Sequence, residues 1–126
     1  MNTIDCSFIV FVLARWGANL QPKGSVIMRV AFAKALKNTR KSRGLTQEDF
    51  SDVSSRTYLS MLERGKKSPT LDKIQTIAQT IGIHCLSLMA LTYLYSEEEK
   101  DLDTLLLRVR NEVDSVNHTK ETSVKL

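Results

Sequence analysis

TQEDFSDVSSRTYLSMLERGKKSP, Thr46 to Pro69, sets two short helical patterns back to back and closes on a cluster of basic residues. Thr46 is a good N-cap for the first, QEDFSDV, and Glu48 and Asp49 in its first turn suit the positive end of a helix dipole. Ser54 or Ser55 caps the second, which turns Leu59 and Leu62 inward. So short a link makes the two helices cross steeply, with the small Ser51 at their closest approach and Phe50, Leu59 and Leu62 clamping them from beneath. One side of the second helix is then left with no apolar residue except Met61. On it Arg56, Thr57, Ser60 and Met61 fall at i, i+1, i+4 and i+5, a single exposed face. A helix normally hides its best side chains; this one displays them.

Outward from this pair the chain reads as helix throughout, with no strand-period stretch between Met28 and Val116 and no internal repeat. VAFAKALKNTRKSR places Phe32, Ala33 and Leu36 on one face and lysines opposite, and Gly44 stops it. Downstream, Thr70 caps LDKIQTIAQTI, whose Leu71, Ile74, Ile77, Ala78 and Ile81 form an apolar stripe, and Gly82 ends it. A fifth helix runs from about His84 to Tyr95. Ser96-Glu97-Glu98-Glu99 reads as a capping box for a sixth, along which Leu102, Leu105 or Leu106, Val109, Val113 and Val116 recur at three- and four-residue steps. The expectation is an all-α protein: a five-helix domain over 28–95, an added amphipathic helix over 96–117, and a tail over 118–126 without order.

The 126 residues allow one domain with a modest core. The net charge of +4 is unevenly spread: residues 28–96 carry eleven Lys/Arg against five Asp/Glu, and residues 97–126 carry five against eight. A basic block ahead of an acidic tail suits a polyanionic partner, although an unevenly charged solvated surface has the same composition. Residues 1–27 read as an appendage, or as sequence upstream of a biological start at Met28. CSFIVFVLA is too short to span a bilayer and lacks a basic leader, and GANLQPKGS reads as linker. Cys6 and Cys85 form neither a metal set nor a disulfide framework, which fits a reduced, cytoplasmic setting. No Ser/His/Asp set, carboxylate pair, glycine-rich phosphate loop or metal spacing is present, so neither catalysis nor a cofactor is expected.

An exposed helix face of this kind fits the DNA major groove, where Arg is the commonest reader of guanine through O6 and N7. Thr57 can donate, accept or touch a thymine methyl, and Met61 offers apolar contact. Gln47 stands at a helix N-terminus, where free N–H groups attract phosphate. Arg64, Lys66 and Lys67 follow the displayed helix and are placed to grip the backbone, contacts that position without reading sequence. Tyr58 can reach a phosphate or half-bury against the preceding helix.

The succession Arg40…Gly44-Leu45-Thr46-Gln47-Glu48-Asp49-Phe50, Ser60-Met61-Leu62-Glu63-Arg64-Gly65, Pro69-Thr70-Leu71 and Ile77-Ala78…Ile81-Gly82-Ile83 resembles the Cro/phage-repressor family of Xre-type helix-turn-helix proteins. The match runs from about Phe32 to Met89. The resemblance implies a phage-repressor-like fold with Gln47 on phosphate and Arg56, Thr57 and Met61 on bases, Ser60 beside them. It also implies a buried structural ion pair between Arg40 and Glu63. The link SDVSS is shorter than the family's usual one and lacks its glycine, so the first turn of the recognition helix is expected to start differently.

Such a protein is expected to be a transcriptional regulator, a repressor by preference, binding double-stranded DNA as a homodimer. The stripe of the sixth helix suits either folding back on the five-helix body or pairing with a second subunit, in which case the tentative dimer surface is Leu102, Leu106, Val109 and Val113. The alternative is an antitoxin-type protein whose C-terminal segment docks a protein partner while the domain binds its own promoter. Neither reading involves a membrane.

Overall fold

The computed structural model describes residues 23–96 and 100–124. The apolar run Cys6–Ala14 and the acidic triplet Glu97–Glu99 lie outside the described residues. Five α-helices and one 3₁₀ turn make up the rest: α1 (Lys23–Ser42), η1 (Gln47–Phe50), α2 (Arg56–Glu63), α3 (Leu71–Ile81), α4 (Cys85–Tyr95) and α5 (Leu102–Val124). There is no strand among the described residues. The fold is all-helical, as the periodicity requires.

Each helix of the body turns one stripe to a common centre. Phe32, Ala35 and Leu36 of α1, Phe50 of η1, Leu59 and Leu62 of α2, Ile74, Ile77 and Ile81 of α3 and Leu88 of α4 form the core. Helix α1 is the spine, packed against both α2 and α4. Helices α3 and α4 turn through 104° at Gly82. That corner needs a residue in the left-handed region, and Gly82 supplies it at φ 86°. His84 caps α4, its Nδ1 accepting from Leu86 N at 3.0 Å.

The expected second helix is cut to the single turn Gln47–Phe50. Ser54 N still bonds Phe50 O at 2.8 Å, after which the chain leaves for Ser55, the N-cap of α2. The short link has no residues left to extend a helix to Val53. It also exchanges two small residues: Ser51 is exposed, and Ser54 is the serine buried beneath the crossing. Lys73 of α3 locks the link, its Nζ donating to Val53 O at 2.7 Å.

Three further boundaries differ from expectation. Helix α1 opens at Lys23, inside the stretch read as linker, so residues 23–27 continue the domain's first helix without a break. The apolar Val26, Ile27 and Val30 extend the helical pattern upstream past the glycine and serine. Helix α5 starts at Leu102 under a cap from Asp101, which accepts from Thr104 N at 2.8 Å and Thr104 Oγ1 at 2.7 Å. Its C-terminus lies at Val124, beyond the end expected at 117. No glycine or proline interrupts the sequence there, and Arg108–Glu112 (3.1 Å) and Arg110–Asp114 (3.9 Å) support it at i,i+4 spacing.

Asp49 and Asp101 hold the two turns in opposite senses, Asp49 reaching back to Thr46 and Asp101 capping forward onto Thr104. Thr46 N and Oγ1 donate to Asp49 at 2.6 and 2.9 Å, and the bonds from Thr46 and Thr104 keep both carboxyls below their ordinary value of 3.8. Native values below the unfolded ones mean that this support is complete above about pH 4 and is lost as pH falls through the native values. Acidification from neutral pH should therefore lower the protection of the Thr46 and Thr104 amides, measured against their pH-dependent intrinsic exchange rates, while the core helices stay protected. Unchanged protection factors at both amides down to the unfolding transition would contradict that linkage.

Candidate nucleic-acid interface

The displayed helix is α2, eight residues long, set between η1 and the loop 64–70. Ser55 starts it, its hydroxyl accepting from Tyr58 N at 3.1 Å. Leu59 and Leu62 are fully buried on its inner face. On the other side Arg56 and Thr57 are exposed, and Ser60 and Met61 half-exposed beside them. The geometry thus brings these four side chains onto one surface of a helix anchored by its two leucines.

Glu63 fixes the rotation of that helix. Arg40 of α1 reaches it bidentately, Nε to Oε1 at 2.5 Å and Nη2 to Oε2 at 3.1 Å, with the side chains 10% and 4% exposed. Arg40 Nη1 also donates to Leu45 O at 2.8 Å, which ties in the loop before η1. Gln47 joins the same carboxylate, Nε2 to Oε2 at 3.0 Å. The Gln47 amide is therefore engaged inside the protein and stands half-exposed. A phosphate there would have to share the Gln47 Nε2 donor with Glu63.

The flanks are cationic. Arg64, Lys66 and Lys67 are exposed, with Arg64 Nε folded back onto Ser60 O at 3.2 Å. Tyr58 is half-buried against the core, and the ammonium groups of Lys67 and Lys73 lie 5.7 and 5.8 Å from its ring centroid. Gly65 gives the loop its turn at φ 69°, and a methyl at its Cα would sit 3.5 Å from the Cα of Val30. The basic loop thus rests on the upstream part of α1, a support outside the segment that carries the family resemblance.

Two contacts of this surface carry no sequence signal. Lys73 joins the link and Tyr58 through tertiary contact alone. Glu48 meets Arg56 across the turn, Oε1 to Nη1 at 3.2 Å, and the two lie on different elements, η1 and α2, so no helical spacing joins them.

The family model described as "Helix-turn-helix" matches residues 36–88, a span that contains η1, α2 and α3. An uncharacterized HTH-type transcriptional regulator, y4dJ, of Sinorhizobium fredii is 36% identical over 67 residues, covering 52% of this chain and 87% of that protein. The chain belongs to the Cro/phage-repressor (Xre-type) helix-turn-helix family. The HTH-type transcriptional regulator DdrOP3 of Deinococcus deserti is 35% identical over 65 residues, half of each chain. This helix-turn-helix protein thus spans half the length of that second relative. No solved structure gives a significant match. The family is one of DNA-binding transcriptional regulators. No single helix among the described residues is long and apolar enough to cross a membrane.

Proposed function

We propose that this protein is a sequence-specific transcriptional repressor that binds operator DNA as a homodimer, laying α2 of each subunit into the major groove. The observation that carries this reading is the two-sided α2: Leu59 and Leu62 fully buried, Arg56 and Thr57 fully presented, and the rotation between them held by the Arg40–Glu63 pair. Arg56, Thr57 and Met61, with Ser60 beside them, read base edges. Arg64, Lys66 and Lys67 hold phosphates on one flank, and Gln47 and Tyr58 reach the backbone nearer the turn. Two-fold symmetry then requires two half-sites about one helical turn apart.

Dimerisation is assigned to α5. Leu102, Leu106, Val109 and Val113 stay exposed along it, while Leu105, alone among the helix's described side chains, is buried against the body. An open apolar groove between α4 and α5, lined by Leu86, Met89, Tyr93, Leu106 and Val109, continues that stripe onto the domain. The same surface supports the second reading, in which an antitoxin-type protein docks a different protein there.

In vitro selection from random duplex DNA with the full chain tests the proposal. Enrichment of a two-fold symmetric motif supports it; weak, salt-sensitive binding with no motif overturns it and favours the partner-docking reading. Lys66→Ala separates positioning from reading. It should weaken binding to every sequence alike and reduce the slope of log K against log salt by about one. A sequence-dependent loss would instead make Lys66 a base reader.

A further inference from the structure

We propose that Glu48 is a specificity-determining residue, a carboxylate that positions the Arg56 guanidinium for a neutral base edge and withholds it from phosphate. This rests on Arg56 reading a base, as set out above. Arg56 is the first residue of α2, and that helix has no acidic residue in its first turn. A cation there faces the positive end of the helix dipole. Glu48 is the acid that answers it, from the preceding η1, with Oε1 3.2 Å from Nη1.

The contact leaves most of the guanidinium free. Arginine has five N–H donors in a planar fork, and Glu48 engages one nitrogen, so another edge remains for guanine O6 and N7. A side chain with several rotatable bonds is thereby preordered before it meets DNA. The carboxylate also acts on selectivity. A phosphate approaching Arg56 meets the negative charge of Glu48, whereas O6 and N7 are uncharged acceptors. Glu48 therefore raises the cost of non-specific binding more than that of the cognate contact. Both side chains are about three-quarters exposed, 72% for Arg56 and 73% for Glu48, so the pair adds little to folding and its removal leaves the domain intact.

The test uses the full chain as wild type, Glu48→Gln, Glu48→Ala, Arg56→Ala and the Glu48→Ala/Arg56→Ala double variant. Affinities are measured at one salt concentration on the selected duplex, on that duplex changed at the base pair where Arg56→Ala loses discrimination, and on unrelated duplex. Glu48→Ala should reduce discrimination at that one base pair by about twofold to fivefold, the range of an exposed ion pair. It should tighten binding to unrelated duplex, and Glu48→Gln should fall between it and wild type. In the Arg56→Ala background the effect of Glu48→Ala on that base pair should vanish. An equal loss in both backgrounds, or unchanged discrimination in both Glu48 variants, overturns the role of Glu48 while leaving Arg56 as a reader. If Arg56→Ala itself alters no base preference, the reading assignment fails and the role of Glu48 goes with it.

Discussion

Glu63→Ala is expected to lower the free energy of unfolding by about 3–5 kcal/mol, because it strands a guanidinium that is already desolvated. In the native domain Glu63 accepts from Arg40 Nε, Arg40 Nη2 and Gln47 Nε2. Without it Arg40, 10% exposed, keeps only the Leu45 carbonyl, and Gln47 loses its anchor. Against a typical domain stability of about 5–15 kcal/mol the loss is a large fraction of the whole. Urea unfolding followed by circular dichroism measures it, with an unchanged slope showing that the change lies in stability rather than in the unfolded state. The pair's worth is architectural rather than intrinsic. Replacing both partners with apolar residues of similar volume, Arg40→Met with Glu63→Leu, should recover much of the stability. DNA binding need not recover with it, since the carboxylate that fixes α2 and Gln47 would still be missing. A single Glu63→Ala variant as stable as wild type would show that the pair is solvated in solution.

Helix existence was legible in the sequence and helix limits were less so, for a physical reason. Caps act over three or four residues, so Thr70 and Gly82 could be read directly and bound α3 as expected. Ser96–Glu99 offered an equally good local cap, yet α5 begins later at Leu102, capped by Asp101, and Ser96 closes α4 instead. Two competing caps a few residues apart are decided by where Leu105 reaches the body, which is a tertiary matter. The shortened second helix belongs to the same class. QEDFSDV has the propensity of a helix, and only the geometric demand of reaching Ser55 with Phe50 buried reduces it to one 3₁₀ turn.

The site divides similarly. Arg56, Thr57, Ser60 and Met61 could be grouped from spacing because they share one helix. Arg40 and Glu63 came only through resemblance, being 23 positions apart on different helices. The contacts of Glu48 with Arg56 and of Lys73 with Val53 came from neither source. These contacts cross the link between η1 and α2, where chain separation says nothing of distance. The short link is thus not a defect in the recognition unit. It brings Glu48 to Arg56 and draws Lys73 onto the backbone of Val53.

Leu106→Glu with Val109→Glu is expected to convert the proposed dimer to monomer and to weaken binding to a two-half-site duplex by about a hundredfold or more. The reason is effective concentration. Once one subunit is seated, the other is held near its half-site, and that gain requires α5 to stay paired. Helix α5 has 23 residues, a length of about 35 Å at 1.5 Å per residue. A stable interface buries roughly 800 Å² per partner, so the proposed dimer would engage the apolar α4 surface beside α5 as well as α5 itself. Leu106 and Val109 are 51% and 42% exposed in the single chain, so glutamates there cost the monomer's fold little, within about 0.5 kcal/mol for typical surface sites. In a dimer they would meet their symmetry mates across an apolar seam, burying carboxylates without partners. Binding to a single half-site should therefore stay close to wild type, which distinguishes loss of pairing from damage to α2. Sedimentation of the double variant as a dimer would move the interface off α5 and leave its apolar stripe to a different protein.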